Sequence, residues 1–169
     1  QYMSYWKSLA QGDLGPSFKY KDYSVNELLA QAFPVSVKLG LYAFILALVL
    51  GVTFGVIAAL RQNSWLDYLL MTFSMTGVVI PSFVTAPILI LLFAVTLRWL
   101  PGGGWNNGAF NNMILPTVAL ALVYLAGIAR IMRSSMIEVM HSQFIRTARA
   151  KGLPLRVIVL KHALRPALL

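Results

Sequence analysis

Apolar and polar positions in this chain fall into long blocks, not into short alternating periods. No charge interrupts Leu39 to Leu60, and at about 1.5 Å per residue those 22 residues cross a hydrocarbon core about 30 Å thick. The block predicts a first spanning helix over Pro34–Leu60. A second uncharged block, Tyr68–Leu97, is longer than one perpendicular crossing requires. Pro81 and Pro87 lie inside it, and each removes a backbone donor and crowds the preceding turn. A kinked, tilted helix is predicted there. The alternative is an interruption near Pro81–Pro87, which is tolerated where broken backbone faces a cavity or other protein. A third span is predicted over Met113–Met132, ended by Arg130 and Arg133, and Ala163–Leu169 reads as the start of a fourth. The fold class expected is all-α, a polytopic bundle of transmembrane helices.

The segments between the blocks are distinct. Residues 1–33 are polar and aromatic, broken by Gly12, Gly15 and Pro16. Tyr2, Tyr5, Trp6 and Leu9 share helical spacing, as in a helix lying at the membrane interface or packed on the rest of the protein. Ser24 and Glu27 have the spacing of a capping box that opens a short helix through Gln31. Residues 61–67 form a short turn, and 98–112, with Pro101, Gly102, Gly103 and Gly104, reads as a loop with Trp99 and Trp105 near the interface. Within the first span, Gly40, Ala43, Ala47, Gly51 and Gly55 make a lightly built stripe on which a neighbouring helix can approach closely.

Composition supports a membrane reading. Hydrophobic residues make up 59% and charged residues 11%, against about 45–50% and about 25% in soluble domains. The net charge of +9 alone would admit nucleic-acid binding, but the apolar blocks exclude it. Eight of the fourteen Lys and Arg follow Ala129. That asymmetry puts 134–165 and the 61–67 turn in the cytoplasm, with residues 1–33 and 98–112 outside. Lys7, Lys19, Lys21, Lys38 and Arg98 count against this orientation, partly offset by Asp13, Asp22 and Glu27. The chain opens on Gln1, shows no signal peptide and stops within an apolar stretch, so it is expected to be a piece of a longer polypeptide.

Enzyme chemistry is not expected. There is no cysteine, no Walker A glycine loop for ATP, and no third ligand near His141 or His162 for a metal. The spans carry no mid-membrane carboxylate, which argues against proton coupling. The hydroxyls of Thr72, Ser74, Thr76, Ser82 and Thr85 flank the prolines. They either offer uncharged polar points along a pathway, with Ser74, Pro81, Ser82 and Thr85 as its candidates, or bond their own helix backbone.

The basic segment carries the most specific local signal. Ser142 is placed to cap a helix over Gln143–Lys151, Gly152 fits the left-handed position that follows a helix, and Pro154 stops it. A second helix starts at about Leu155, with Val157, Ile158, Leu160 and Leu164 as its apolar side and Arg156, Lys161 and His162 at its polar edge. Ala148 and Ala150 keep the first helix slim enough to enter a groove. Basic juxtamembrane residues also hold orientation and attract anionic lipid. Lipid attraction, however, requires no glycine corner, proline stop or Ala-Arg-Ala core.

The run Arg146-Thr147-Ala148-Arg149-Ala150-Lys151-Gly152-Leu153, with the later His162-Ala163-Leu164-Arg165, resembles the cytoplasmic coupling loop of bacterial ABC importer permeases. Gly12-Asp13-Leu14-Gly15 with Ser17, and Phe33-Pro34-Val35-Ser36-Val37 with Leu39, are similar to the external segment and the following helix entry in the dipeptide and oligopeptide branch. The broader family motif begins Glu-Ala-Ala where this chain has Thr147-Ala148-Arg149. The resemblance implies a type I (MetI-like) permease subunit that forms half of a pathway for short peptides. Phe144, Ile145, Arg146, Thr147, Ala148, Arg149, Ala150, Lys151, Gly152 and Leu153 would then be its contact with a separate ATPase. Implied partners are a second permease subunit, two ATPase subunits, an external solute-binding protein and the bilayer, with ATP and Mg on the ATPase subunits and no cofactor in this chain. The implied location is a bacterial inner membrane. The competing readings are a secondary transporter or channel, and a membrane scaffold.

Overall fold

The computed structural model describes residues 2–168, which form two compact units that divide between Leu41 and Tyr42. Helices account for nearly all regular structure, and among the described residues the only β-type pairing is an isolated bridge between Pro16 and Ser24.

In the first unit, α1 (Tyr2–Ala10) exposes Tyr5 and Trp6; the side chain of Tyr2 lies outside the described residues. The chain then turns at Gly12 and Gly15, both at φ +80. Asn26 clamps this turn: its amide donates to the Gly12 carbonyl at 2.6 Å and its oxygen accepts from the Leu14 N–H at 3.0 Å. The capping box forms as expected, with the Ser24 N–H donating to Glu27 and the Glu27 N–H donating to Ser24 Oγ.

The box does not open a short separate helix. It opens α2 (Val25–Leu60), one helix of 36 residues with Pro34 inside it. A proline at this point costs one backbone bond, the one Ala30 would receive, while its fixed φ remains helical, so the helix continues.

The second unit contains the rest of α2, then α3 (Trp65–Val79), α4 (Ser82–Leu89), α5 (Phe110–Met140), α6 (Gln143–Ala150), α7 (Leu155–Val157) and α8 (Leu164–Ala167). The stripe on α2 is buried here at Ala43, Ala47, Gly51 and Gly55, whereas Gly40 meets nothing within 4 Å. A Cβ added at Gly51 would meet the Ile128 side chain, and one at Gly55 would meet Met132 and the Ala129 carbonyl. The stripe is therefore the face on which α5 lies.

The long Tyr68–Leu97 block is broken, not merely kinked: α3 and the following helix, which runs to Thr96, meet at 109°. Pro81 causes the break. Its ring disfavours helical geometry in the preceding residue, and Ile80 adopts φ −96, ψ 117. Pro81 then starts α4, its carbonyl accepting from Val84 and Thr85. Past Pro87 the helix widens into a π-turned segment over Ile90–Thr96. Pro87 has no N–H for the carbonyl four residues back, which favours such wider turns.

Two helices, α2 and α5, are each long and apolar enough to cross a membrane, and the bent pair makes up to three spans. The third span runs further than expected, from Phe110 to Met140 instead of Met113–Met132. Its buried face explains this. Leu125, Ala129, Met132 and Met136 recur every three or four residues past Arg133, while Ser134 turns outward and donates to the Arg130 and Ile131 carbonyls.

Candidate functional site

The basic segment folds as an elbow at the end of α5. The chain leaves α5 at His141 and starts α6 after Ser142. Ser142 occupies the cap position with extended backbone, but its side chain does not cap. The hydroxyl donates back to the Val139 carbonyl at 2.6 Å and so closes α5 instead.

The far end of α6 is a Schellman turn. The Leu153 N–H donates to the Ala148 carbonyl at 3.3 Å, and the Gly152 N–H donates to the Arg149 carbonyl at 2.9 Å. Gly152 has φ +74, the left-handed geometry that a Cβ penalises. Leu153 packs against the cluster that contains Ala148, the apolar contact that accompanies this motif. Pro154, at φ −65, then begins the return helix.

The elbow is fixed by burial. Ile145 is fully buried and Ala148 nearly so, against Met132 and Met136 of α5 and Ile158, Val159, Ala163 and Ala167 of the return helix. Val52, Val56 and Ala59 of α2 pack on the same cluster. Ala148 thus serves close packing within the chain rather than a slim outer profile. Exposed on the other side are Phe144, Arg146, Thr147, Arg149, Ala150, Lys151 and Gly152, with Phe144 48% exposed. The elbow thus presents Phe144, Ala150 and four polar side chains, Arg146, Thr147, Arg149 and Lys151, outward from a rigid base.

The return helix also differs from the expected one. Its apolar side was expected at Val157, Ile158, Leu160 and Leu164; the buried residues are Ile158, Val159, Ala163 and Ala167, and Leu160 is exposed. Ile158 is buried as expected and Leu164 packs on the cluster, but the π-turned segment over Ile158–Ala163 gives a step of five from Ile158 to Ala163, which brings Val159 inward and leaves Leu160 outside. Helical structure continues to Ala167, while Leu169, where a fourth span was expected to continue, lies outside the described residues.

Below the elbow, Arg133 of α5 reaches Asp67 of α3. Nε donates to Oδ1 at 2.7 Å and Nη2 to Oδ2 at 2.6 Å, while the Asn63 N–H adds a third bond at 2.9 Å. Asp67 is 1% exposed. Sequence reasoning treated Arg133 as a span terminator and missed this pair. Nothing local signals it, because 66 residues separate the partners.

The candidate pathway residues do not adjoin the elbow in sequence or in any described contact. Ser74 is buried and donates to the Leu70 carbonyl at 2.7 Å. Thr76 donates to Phe73, and Thr85 donates to Pro81 at 3.3 Å. These three hydroxyls donate to backbone carbonyls of their own segments. Pro81 and Ser82 lie exposed at the break.

An all-helical chain with apolar spans and a rigid, basic, glycine-cornered elbow defines an integral-membrane transport component. The family model described as "Binding-protein-dependent transport system inner membrane component" matches residues 51–169, and the chain belongs to that family. Over all 169 residues it is 69% identical to the oligopeptide transport system permease protein OppB of Salmonella typhimurium (strain LT2), and 66% identical to the protein of the same name from Haemophilus influenzae, covering 55% of each. It is 48% identical to the dipeptide transport system permease protein DppB of Bacillus subtilis (strain 168), covering 54% of it. The chain spans about half the length of the curated relatives it matches.

Proposed function

We propose that this chain is the part of a permease subunit that links a membrane pathway for short peptides to a separate ATPase. The elbow, Gln143 to Leu155, docks in a groove of the ATPase, and Phe144, Arg146, Arg149 and Lys151 form the contact. ATP binding and hydrolysis move the groove, and the motion reaches the spans through the packing of Ile145 and Ala148 on α5 and α2. The subunit has no nucleotide site of its own; ATP and Mg belong to the two ATPase subunits. A second permease subunit completes the pathway, and an external solute-binding protein delivers the peptide. The membrane is a bacterial inner membrane, with residues 1–33 outside and 134–165 in the cytoplasm, as the bias of Lys and Arg indicates.

One observation carries this reading: the outward face of α6 is basic and unpartnered within the described residues, while its inward face is locked by a Schellman turn and a buried cluster. A conformational change needs contacts that differ between two states, and a docked elbow supplies them. The names of the relatives support peptides as cargo.

Gly152→Pro tests it in the assembled transporter. Proline cannot adopt φ +74 and lacks the N–H that meets Arg149. Peptide uptake is expected to fall to background, and ATPase activity is expected to stop responding to peptide. Normal uptake with normal ATPase stimulation would falsify the coupling role.

A further inference from the structure

A second arginine of α5 lies one turn before Arg133. Arg130 is exposed, and among the described residues its guanidinium meets one partner, the Met75 sulfur of α3, to which Nη2 donates at 3.0 Å. A thioether is a weak acceptor and leaves the charge uncompensated. The ion pair nearby, Arg133 with Asp67, does not include Arg130.

Depth follows from the packing of α5. A Cβ at Gly55 of α2 would meet Met132 and the Ala129 carbonyl, and Gly55 lies well inside the uncharged stretch that ends at Leu60. The backbone of Arg130 is therefore about 8 Å inside that end. Its side chain goes deeper. Asp67 pairs with Arg133 and Gly77 abuts Leu122. Arg130 thus stands opposite about Leu70, and its guanidinium reaches Met75, about 7 Å further from the 61–67 turn. A basic side chain near the end of a span ordinarily extends toward the nearer interface. Arg130 extends the other way, so it does not serve a headgroup. A charge at this depth faces protein or a water-filled cavity. Room is present beside it: Gly127, one turn back on the same face of α5, has no side chain, and a Cβ there would meet nothing within 4 Å.

We propose that Arg130 lines the pathway and meets the C-terminal carboxylate of the passing peptide, an assignment that rests on the peptide-permease reading above. Every unblocked peptide carries that carboxylate whatever its side chains, so one arginine serves a mixed cargo. The carboxylate loses water at this depth, and a two-pronged guanidinium bond offsets the loss. Met75 holds the guanidinium between passages without neutralising it, so the peptide displaces only a weak bond.

The test uses the full-length complex in phosphatidylcholine vesicles with saturating solute-binding protein. Uptake of tri-alanine is compared with uptake of its C-terminal amide. Any preference of the binding protein is common to wild type and variant, so it cancels when their acid-to-amide ratios are compared. Arg130→Gln is expected to lower that ratio about tenfold, through slower uptake of the acid, and Arg130→Lys less. Normal wild-type uptake with an unchanged ratio in Arg130→Gln overturns this assignment alone. Loss of the assembled complex in Arg130→Gln, read by size exclusion, would make a carboxylate of the second permease subunit the partner and overturn it too. Uptake of neither peptide by the wild type would sink the peptide-permease reading itself, and the assignment with it.

Discussion

The guanidinium of Arg133 lies in a two-pronged bond with the carboxylate of Asp67, tying the start of α3 to the last third of α5. Arg133 is one residue from Met132 and three from Met136, both buried under the elbow. The pair therefore ties α3 to the part of α5 on which the elbow packs. Removing Arg133 would leave a buried carboxylate without its partner. Arg133→Ala is expected to cost about 3 kcal/mol, the lower end for a broken buried pair, because the arginine itself is partly exposed. The double replacement Asp67→Leu with Arg133→Met should recover most of that loss. Thermal unfolding in detergent checks both, and equal losses for the single and double variants would contradict the pairing.

Gly77 marks the closest approach of α3 to α5. A Cβ there would collide with the backbone carbonyl of Leu122, which no rotamer change can relieve. Gly77→Ala is expected to destabilise by about 1–3 kcal/mol or more through overpacking. Gly127→Ala, in open space on α5, should be neutral or slightly stabilising. Comparing the two by thermal shift separates backbone contact from helix propensity.

Ile145 and Phe144 are neighbours with opposite duties. Ile145→Ala empties a fully buried position and should cost about 2–5 kcal/mol. Phe144→Ala removes an exposed ring and should leave unfolding unchanged while weakening capture of the ATPase on beads several-fold. The reverse pattern would mean that α6 is turned the other way.

Pro81 holds the α3–α4 break through its effect on Ile80. With alanine the N–H returns and one helix can run through. Spin labels at Tyr68 and Leu92 are expected about 20 Å apart across a 109° bend. Straightening toward one helix would move them toward about 36 Å. An unchanged distance distribution in Pro81→Ala would assign the bend to packing instead of the proline.

Local chemistry was legible in the sequence and long-range chemistry was not. The capping box at Ser24 and the corner at Gly152 depend on neighbours within five residues, so residue type and spacing were enough. The small stripe on α2 was legible because its period is that of one helix face. The length of α5 was hidden because Ser134 and Arg133 read as polar punctuation, although one turns outward and the other finds Asp67. On the return helix Ile158 and Leu164 face the cluster as expected, but Leu160 does not, because a π turn changes the period and nothing in Ile158–Ala163 announces one. Ser142 shows the same limit on a smaller scale. Its position was right, but its hydroxyl had two carbonyl and amide choices and took the one behind it.

The uninterrupted run of α5 has a mechanical consequence. Its 31 residues extend about 46 Å, and the Gly77–Leu122 crossing lies nearer its first end than its last. If that crossing is the fulcrum, α5 is a see-saw with unequal arms of about 18 and 27 Å. A tilt of about 10° then swings the Met140 end by about 5 Å and the Phe110 end by about 3 Å the opposite way. Under the coupling role proposed above, a pull on the elbow would be geared down and reversed before it reached the far rim.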